Sequence, residues 1–154
     1  MGHKKVVVAM VACLLLVAAA SVSAQPTNPT PPTPLPNPVL YLSGIEYYTA
    51  NGKDFTRYKY SVDNSTVYPD SLFAASPTLP PCGTNTNSSR SWVDIFDSRG
   101  KRLYGFCALR SAADLNKIWF AMETAIVPPS YVYIEISDRA TNMKYKSNLA
   151  DTVQ

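Results

Sequence analysis

Histidine is almost missing from this 154-residue chain; the single one is His3. Position 3 falls in a segment expected to be removed, which leaves a working chain without imidazole. That excludes a Ser–His–Asp hydrolase and any histidine-ligated zinc site. Cysteine is scarce as well, three in all, and Cys13 is expected to leave with His3, so Cys82 and Cys107 are the remaining thiols. No cysteine–histidine zinc spacing exists, and the 6 glycines nowhere form a phosphate cradle. Charge is thin: 14 Lys and Arg stand against 11 Asp and Glu, and loss of Lys4 and Lys5 leaves 12 bases to 11 acids. Such a balance removes any polybasic argument for nucleic acid or an anionic membrane.

What is present first is an export signal. Two lysines within the first five residues precede an apolar run of 15 residues, Val6 to Ala20, and Ser21-Val22-Ser23-Ala24 ends on a small residue. This is the plan of a secretory signal peptide over residues 1–24, with cleavage expected after Ala24. The run falls short of the roughly 18 to 20 residues of a membrane span, so no transmembrane anchor is expected. Myristoylation fails because Val6 stands where Ser or Thr is required. Lipidation at Cys13 is disfavoured because the apolar run continues past it. The expected location is extracellular, or periplasmic in a two-membrane bacterium.

Residues 25–38 hold seven prolines in 14 positions. Too little apolar surface is available there to offset chain ordering, so the segment reads as an extended polyproline spacer that joins no core. Thr27, Thr30 and Thr33 between the prolines also suit an O-glycosylated stalk or a proline-motif ligand.

Residues 39–150 read as a β domain, with 151–154 as a tail. Val39 to Thr49 is rich in β-branched and aromatic residues. Asn51-Gly52 then gives a strong hairpin signal. From Asp54 to Asp63, Thr56, Tyr58, Tyr60 and Val62 share one face while Arg57, Lys59 and Ser61 share the other. A long connection follows, with a helical turn expected near Asp70 to Ala74. Further strands are expected at Ser91–Asp97, Arg102–Leu109, Lys117–Glu123, Tyr131–Asp138 and Asn142–Asn148. Gly100 should take a left-handed position between the first two of these. Ser111-Ala112-Ala113-Asp114 has the form of a capping box and predicts one short helix. Short strands at this spacing, without alternating long helices, point to an all-β fold. The expectation is a seven-stranded antiparallel β-sandwich of immunoglobulin or fibronectin type III kind.

In an oxidising compartment Cys82 and Cys107 should form one structural disulfide. No basic or imidazole-like neighbour marks either as a reactive thiol.

The stretch Leu79–Leu109 contains Pro80-Pro81-Cys82-Gly83, Ser91-Trp92-Val93-Asp94-Ile95 and Leu103-Tyr104-Gly105-Phe106-Cys107. It resembles small secreted, uncharacterised proteins with a fibronectin type III or immunoglobulin-like β-sandwich. Pro128-Pro129-Ser130-Tyr131-Val132-Tyr133-Ile134 is similar to the approach to the penultimate strand of a fibronectin type III-like module. The resemblance implies a fold and a binding or spacer role, with no catalytic residues.

Other candidate chemistry is sparse. Ser98-Arg99-Gly100-Lys101 fits a Ser–Lys spelling, yet it sits in a hairpin turn where that chemistry needs a helix start. Asp94 and Asp97 fall on opposite strand faces, a poor calcium arrangement, and neither metal nor cofactor is expected. The alternative to a binding role is a small secreted hydrolase or enzyme inhibitor using Asp and Glu, which would require Glu46, Glu123 and Glu135 to converge. Tyrosine is the more informative feature. Tyr47, Tyr48, Tyr58 and Tyr60 crowd the first hairpin, and Tyr131 and Tyr133 share a later strand face. They make a candidate recognition surface for an extracellular protein or a glycan, against the alternative that they fill the core and pair across strands. Asn64-Ser65-Thr66 and Asn87-Ser88-Ser89 are N-glycosylation sequons.

Overall fold

A computed structural model describes residues 34–82 and 88–153. The expected signal segment, most of the proline-rich stretch and Asn87 lie outside the described residues. The described residues build eight strands: β1 Leu40–Ala50, β2 Lys53–Val62, β3 Ser91–Asp97, β4 Arg102–Phe106, β5 Ile118–Glu123, β6 Tyr131–Asp138, β7 Met143–Lys146 and β8 Ala150–Asp151. They form two antiparallel sheets, one ordered β1-β2-β5 and the other β4-β3-β6-β7, with β8 also paired to β6. The fold is the expected all-β sandwich, with one strand more than the seven predicted.

Period-two patterning does most of the folding work. On β3, Ser91, Val93, Ile95 and Asp97 are buried and alternate with half-buried partners. On β6, Val132, Ile134, Ile136 and Asp138 do the same. These apolar side chains meet Tyr60 and Val62 of β2 and Ile118 and Phe120 of β5. Leu72, Phe73 and Leu115 from the connections complete the core. Thr56, Tyr58, Tyr60 and Val62 are all buried, as their shared face predicts. The β1–β2 turn has Asn51 at φ 52° and Gly52 at φ 72°, the two left-handed positions that a two-residue hairpin needs. Gly100 takes φ 84° in the β3–β4 turn. Gly105 is required for a different reason: a Cβ there would collide with the Arg102 guanidinium and the Asp94 carboxylate, which pair across it at 2.7 Å.

Several expectations need correction. The predicted helix is a 3₁₀ turn, Ala112–Asn116, and Ser111 makes no side-chain cap. Asp114 turns back to accept from the Arg110 amide at 2.9 Å, and the Ala112 amide donates to Asp70 instead. The helical turn near Asp70 is present as a 3₁₀ turn, Asp70–Phe73. β4 stops at Phe106, so Cys107 stands just past the strand; it is bonded to Cys82, with Cα atoms 6.0 Å apart. The assigned tail is structured in part. Asp151 belongs to β8, and the buried Thr152 donates its hydroxyl to the Pro129 carbonyl at 2.6 Å.

The proline-rich segment also ends earlier than 38. Pro38 is fully buried and Leu35 packs against the core. The Tyr68 hydroxyl donates to the Pro36 carbonyl at 2.6 Å. The Leu35 side chain and the Pro38 ring, with the Pro36 and Asn37 carbonyls taken by Tyr68 and Asn64, bring residues 35–38 into the fold.

The two flanks of the sandwich are closed differently. Between β1 and the β7–β8 edge, the Asn148 side chain accepts from the Leu40 amide at 2.7 Å and donates to the Leu40 carbonyl at 2.9 Å. One side-chain amide thus stands in for a paired strand residue. Between β5 and β4, Trp119 stacks on Tyr104 at 5.1 Å and meets Phe106 edge-on at 6.2 Å.

Candidate recognition surface

The six tyrosines proposed as a recognition surface separate into three environments. Tyr58 and Tyr60 are core residues, which corrects their place in that surface. Their rings stack on Phe120 at 5.0 and 6.1 Å, and the Tyr60 hydroxyl donates to the Asp151 carbonyl at 3.2 Å. Burial raises both phenol pKa values, helped by the neighbouring phenols of Tyr47 and Tyr58 respectively. Tyr48 and Tyr133 are half-buried and already engaged. Tyr133 stacks on Phe96 at 5.2 Å and carries the Lys146 ammonium 4.0 Å above its ring.

Tyr48 belongs to a ladder across the outer face of the three-stranded sheet. It stacks on Phe55 at 5.5 Å, and the Arg57 guanidinium lies 4.8 Å from its ring centre and 4.7 Å from that of Trp119. Trp119 passes the ladder on to Tyr104 of the other sheet. Arg57 also holds Glu46 at 3.2 Å. Each ring pair contributes about 0.5–1.5 kcal/mol beyond area burial, and each guanidinium–ring contact about 0.5–1 kcal/mol when exposed. These rings stabilise the sheet.

Tyr47 and Tyr131 remain. A β-bulge between Leu42 and Gly44 shifts the parity of β1, so Tyr47 pairs with Thr56 and points to the core side. It lies past the cover of the second sheet and is 72% exposed. The β5–β6 connection reaches the same end of the sandwich, because Glu123 pairs with Phe55 close to the hairpin tip. Its Ile126 and Val127 are 51% and 87% exposed, and Tyr131, which opens β6, is 46% exposed. β1 runs toward this end, so the Pro34–Val39 segment enters from the opposite one. The apolar pair Ile126-Val127 beside Pro128-Pro129 was the available sequence signal, since apolar residues in an unstructured turn have no core to enter.

The acids do not assemble. Glu46 pairs with Arg57, and Glu123 with Lys53 at 2.5 Å, both on the three-stranded sheet. Glu135 pairs with Lys144 at 2.7 Å on the other sheet. No cluster of three or more metal-ligating side chains occurs among the described residues. At the first sequon, Asn64 accepts from the Val39 amide at 2.9 Å and donates to the Asn37 carbonyl at 3.0 Å, so its amide is committed to holding the N-terminal segment. Asn87, the acceptor of the second sequon, lies outside the described residues.

Fold and surface together define a disulfide-stapled antiparallel β-sandwich with an uncovered apolar tip at the end away from its N-terminal segment. Among the described residues, no helix is long and apolar enough to cross a membrane. Compared with protein-family models, curated proteins and solved structures, the chain shows no match.

Proposed function

We propose that the protein is an exported, non-catalytic recognition module that binds an extracellular protein through its tip. The observation that carries this reading is that Tyr47, Ile126 and Val127, large and uncovered, lie at the hairpin end opposite the Pro34–Val39 segment. A proline-rich spacer on that segment would hold the domain off a surface and turn the tip outward. A protein partner is favoured over a glycan because the rings suited to sugar stacking are already engaged, Tyr48 with Phe55 and Trp119 with Tyr104. Tyr47 and Val127 instead offer isolated apolar knobs of the sort that fill pockets on a protein.

The sheet order supports a fibronectin type III-like assignment within the immunoglobulin-like sandwiches. In the constant-type immunoglobulin domain the fourth strand lies beside the fifth; here β4 crosses to pair with β3. Export is supported by the expected signal segment and by a disulfide of the kind kept in oxidising compartments. A binding role over a hydrolytic one is supported by the separate ion pairs that occupy Glu46, Glu123 and Glu135.

The test is an array of extracellular proteins probed with the wild-type chain and with the Tyr47→Ser/Val127→Ser double variant. The expected result is a micromolar binder whose signal falls about tenfold or more in the variant, as loss of central apolar anchors should produce. Absence of any binder, or equal binding by the variant, overturns the proposal.

A further inference from the structure

A second surface lies on the outer face of the three-stranded sheet, away from the tip. An open groove of about 400 Å³ runs past Ser43, Arg57, Lys59, Lys117 and Trp119, and no acidic side chain lines it. The strand register sets its cations in a row. Arg57 and Lys59 are alternate residues of β2, so they sit about 6.5–7 Å apart on one face. Ile118 pairs with Tyr60, which brings Lys117 level with the next alternate position, beyond Lys59. The three basic residues thus follow one another along the groove, where a pocket for a single anion would need their charges to converge.

We propose that this row binds a linear acidic polysaccharide and fixes the protein to an anionic extracellular matrix. A repeating polyanion presents charges along a line, as the groove does. The internal partners yield at low cost. Arg57 and Lys59 stand 3.2 and 4.0 Å from the same Glu46 carboxylate, Lys117 pairs with Asp114 at 3.0 Å, and both lysine side chains are exposed. Exposed pairs of this type hold weakly and are screened by salt. Arg57 is held upright between Tyr48 and Trp119, so one cation of the three is preorganised and loses little freedom on binding. The exposed Ser43 adds a hydroxyl on the bulge of β1 beside Lys59, whose aliphatic chain lies 3.4 Å from where a Gly44 side chain would start. A single short basic row suits one flexible polyanion strand, which can follow the groove, better than stiff duplex DNA.

The experiment measures binding of the purified chain to a heparin fragment, to polygalacturonate, to neutral dextran and to duplex DNA over a range of salt. The first two arms separate sulfate from carboxylate as the preferred anion. Binding to at least one of them is expected, weakening with salt, with none to dextran. Lys59→Gln/Lys117→Gln should reduce it about tenfold with an unchanged melting temperature. Arg99→Gln/Lys101→Gln, on the β3–β4 turn outside the groove, should leave it intact. No binding to either acidic polysaccharide at low salt overturns the proposal. So does equal binding by Lys59→Gln/Lys117→Gln, or duplex DNA binding as tightly as the better polysaccharide. Tip variants leave this binding unchanged, so its outcome is independent of the protein-binding reading.

Discussion

Tyr47 and Tyr48 are adjacent in sequence and live in different physical worlds. Tyr48 lies in the ladder with Phe55, Arg57 and Trp119, where each ring meets another ring or a guanidinium. Tyr47 points the other way and lies past the end of the opposing sheet, where it is left uncovered. The comparison teaches that tyrosine abundance is not one property. The ladder turns aromatic area into fold stability. The tip leaves it unspent, and an uncovered apolar cluster is what a partner can use.

The sharpest way to break this division is to show that ladder and core rings are not structural. Tyr60→Ala is the largest change: it empties a fully buried site, and about 3–5 kcal/mol of stability should be lost in a denaturant titration. Trp119→Ala should cost about 2–3 kcal/mol, less than a fully buried ring because Trp119 is only half-buried, and it opens the β4–β5 flank. Asn148→Ala tests the opposite flank. It leaves the Leu40 amide and carbonyl without partners, and about 2 kcal/mol should disappear in the same assay. Arg57→Gln keeps length but removes the cation, so a melting experiment should register about 1 kcal/mol. Tyr47→Ser is the smallest: its stability should stay within about 0.5 kcal/mol of wild type, as at a surface site without partners. A Tyr47→Ser loss as large as that of Trp119→Ala would erase the distinction.

Much of this was legible in the sequence. The alternation from Thr56 to Val62 announces a buried face, and that face is where Tyr58 and Tyr60 lie; counting them among surface candidates gave crowding in the hairpin too much weight over period. Asn51-Gly52 and Gly100 mark their turns because few other residues tolerate their backbone angles. Three features escaped. The parity of β1 changes at the bulge near Ser43, which only the isolated Gly44 hints at, so which of Tyr47 and Tyr48 faces outward could not be counted off. β8 is two residues long and is held by Asn148 and Thr152, whose side-chain bonds carry no periodic signature. The capping-box spelling at Ser111 was satisfied by a different contact, because Asp70 comes from 42 residues upstream to take the Ala112 amide. Local pattern gave the strands. Long-range hydrogen bonds decided the ends.

The tip as the recognition surface is the central claim, and the most direct test sets neighbouring residues against each other. Affinity for the extracellular protein found in the array should be measured for Tyr47→Ser and Tyr48→Ser, with the stability of each. The account predicts that Tyr47→Ser weakens binding about tenfold while folding normally, and that Tyr48→Ser lowers stability while leaving affinity near wild type. Equal loss of affinity in both, or loss confined to Tyr48→Ser, would contradict it.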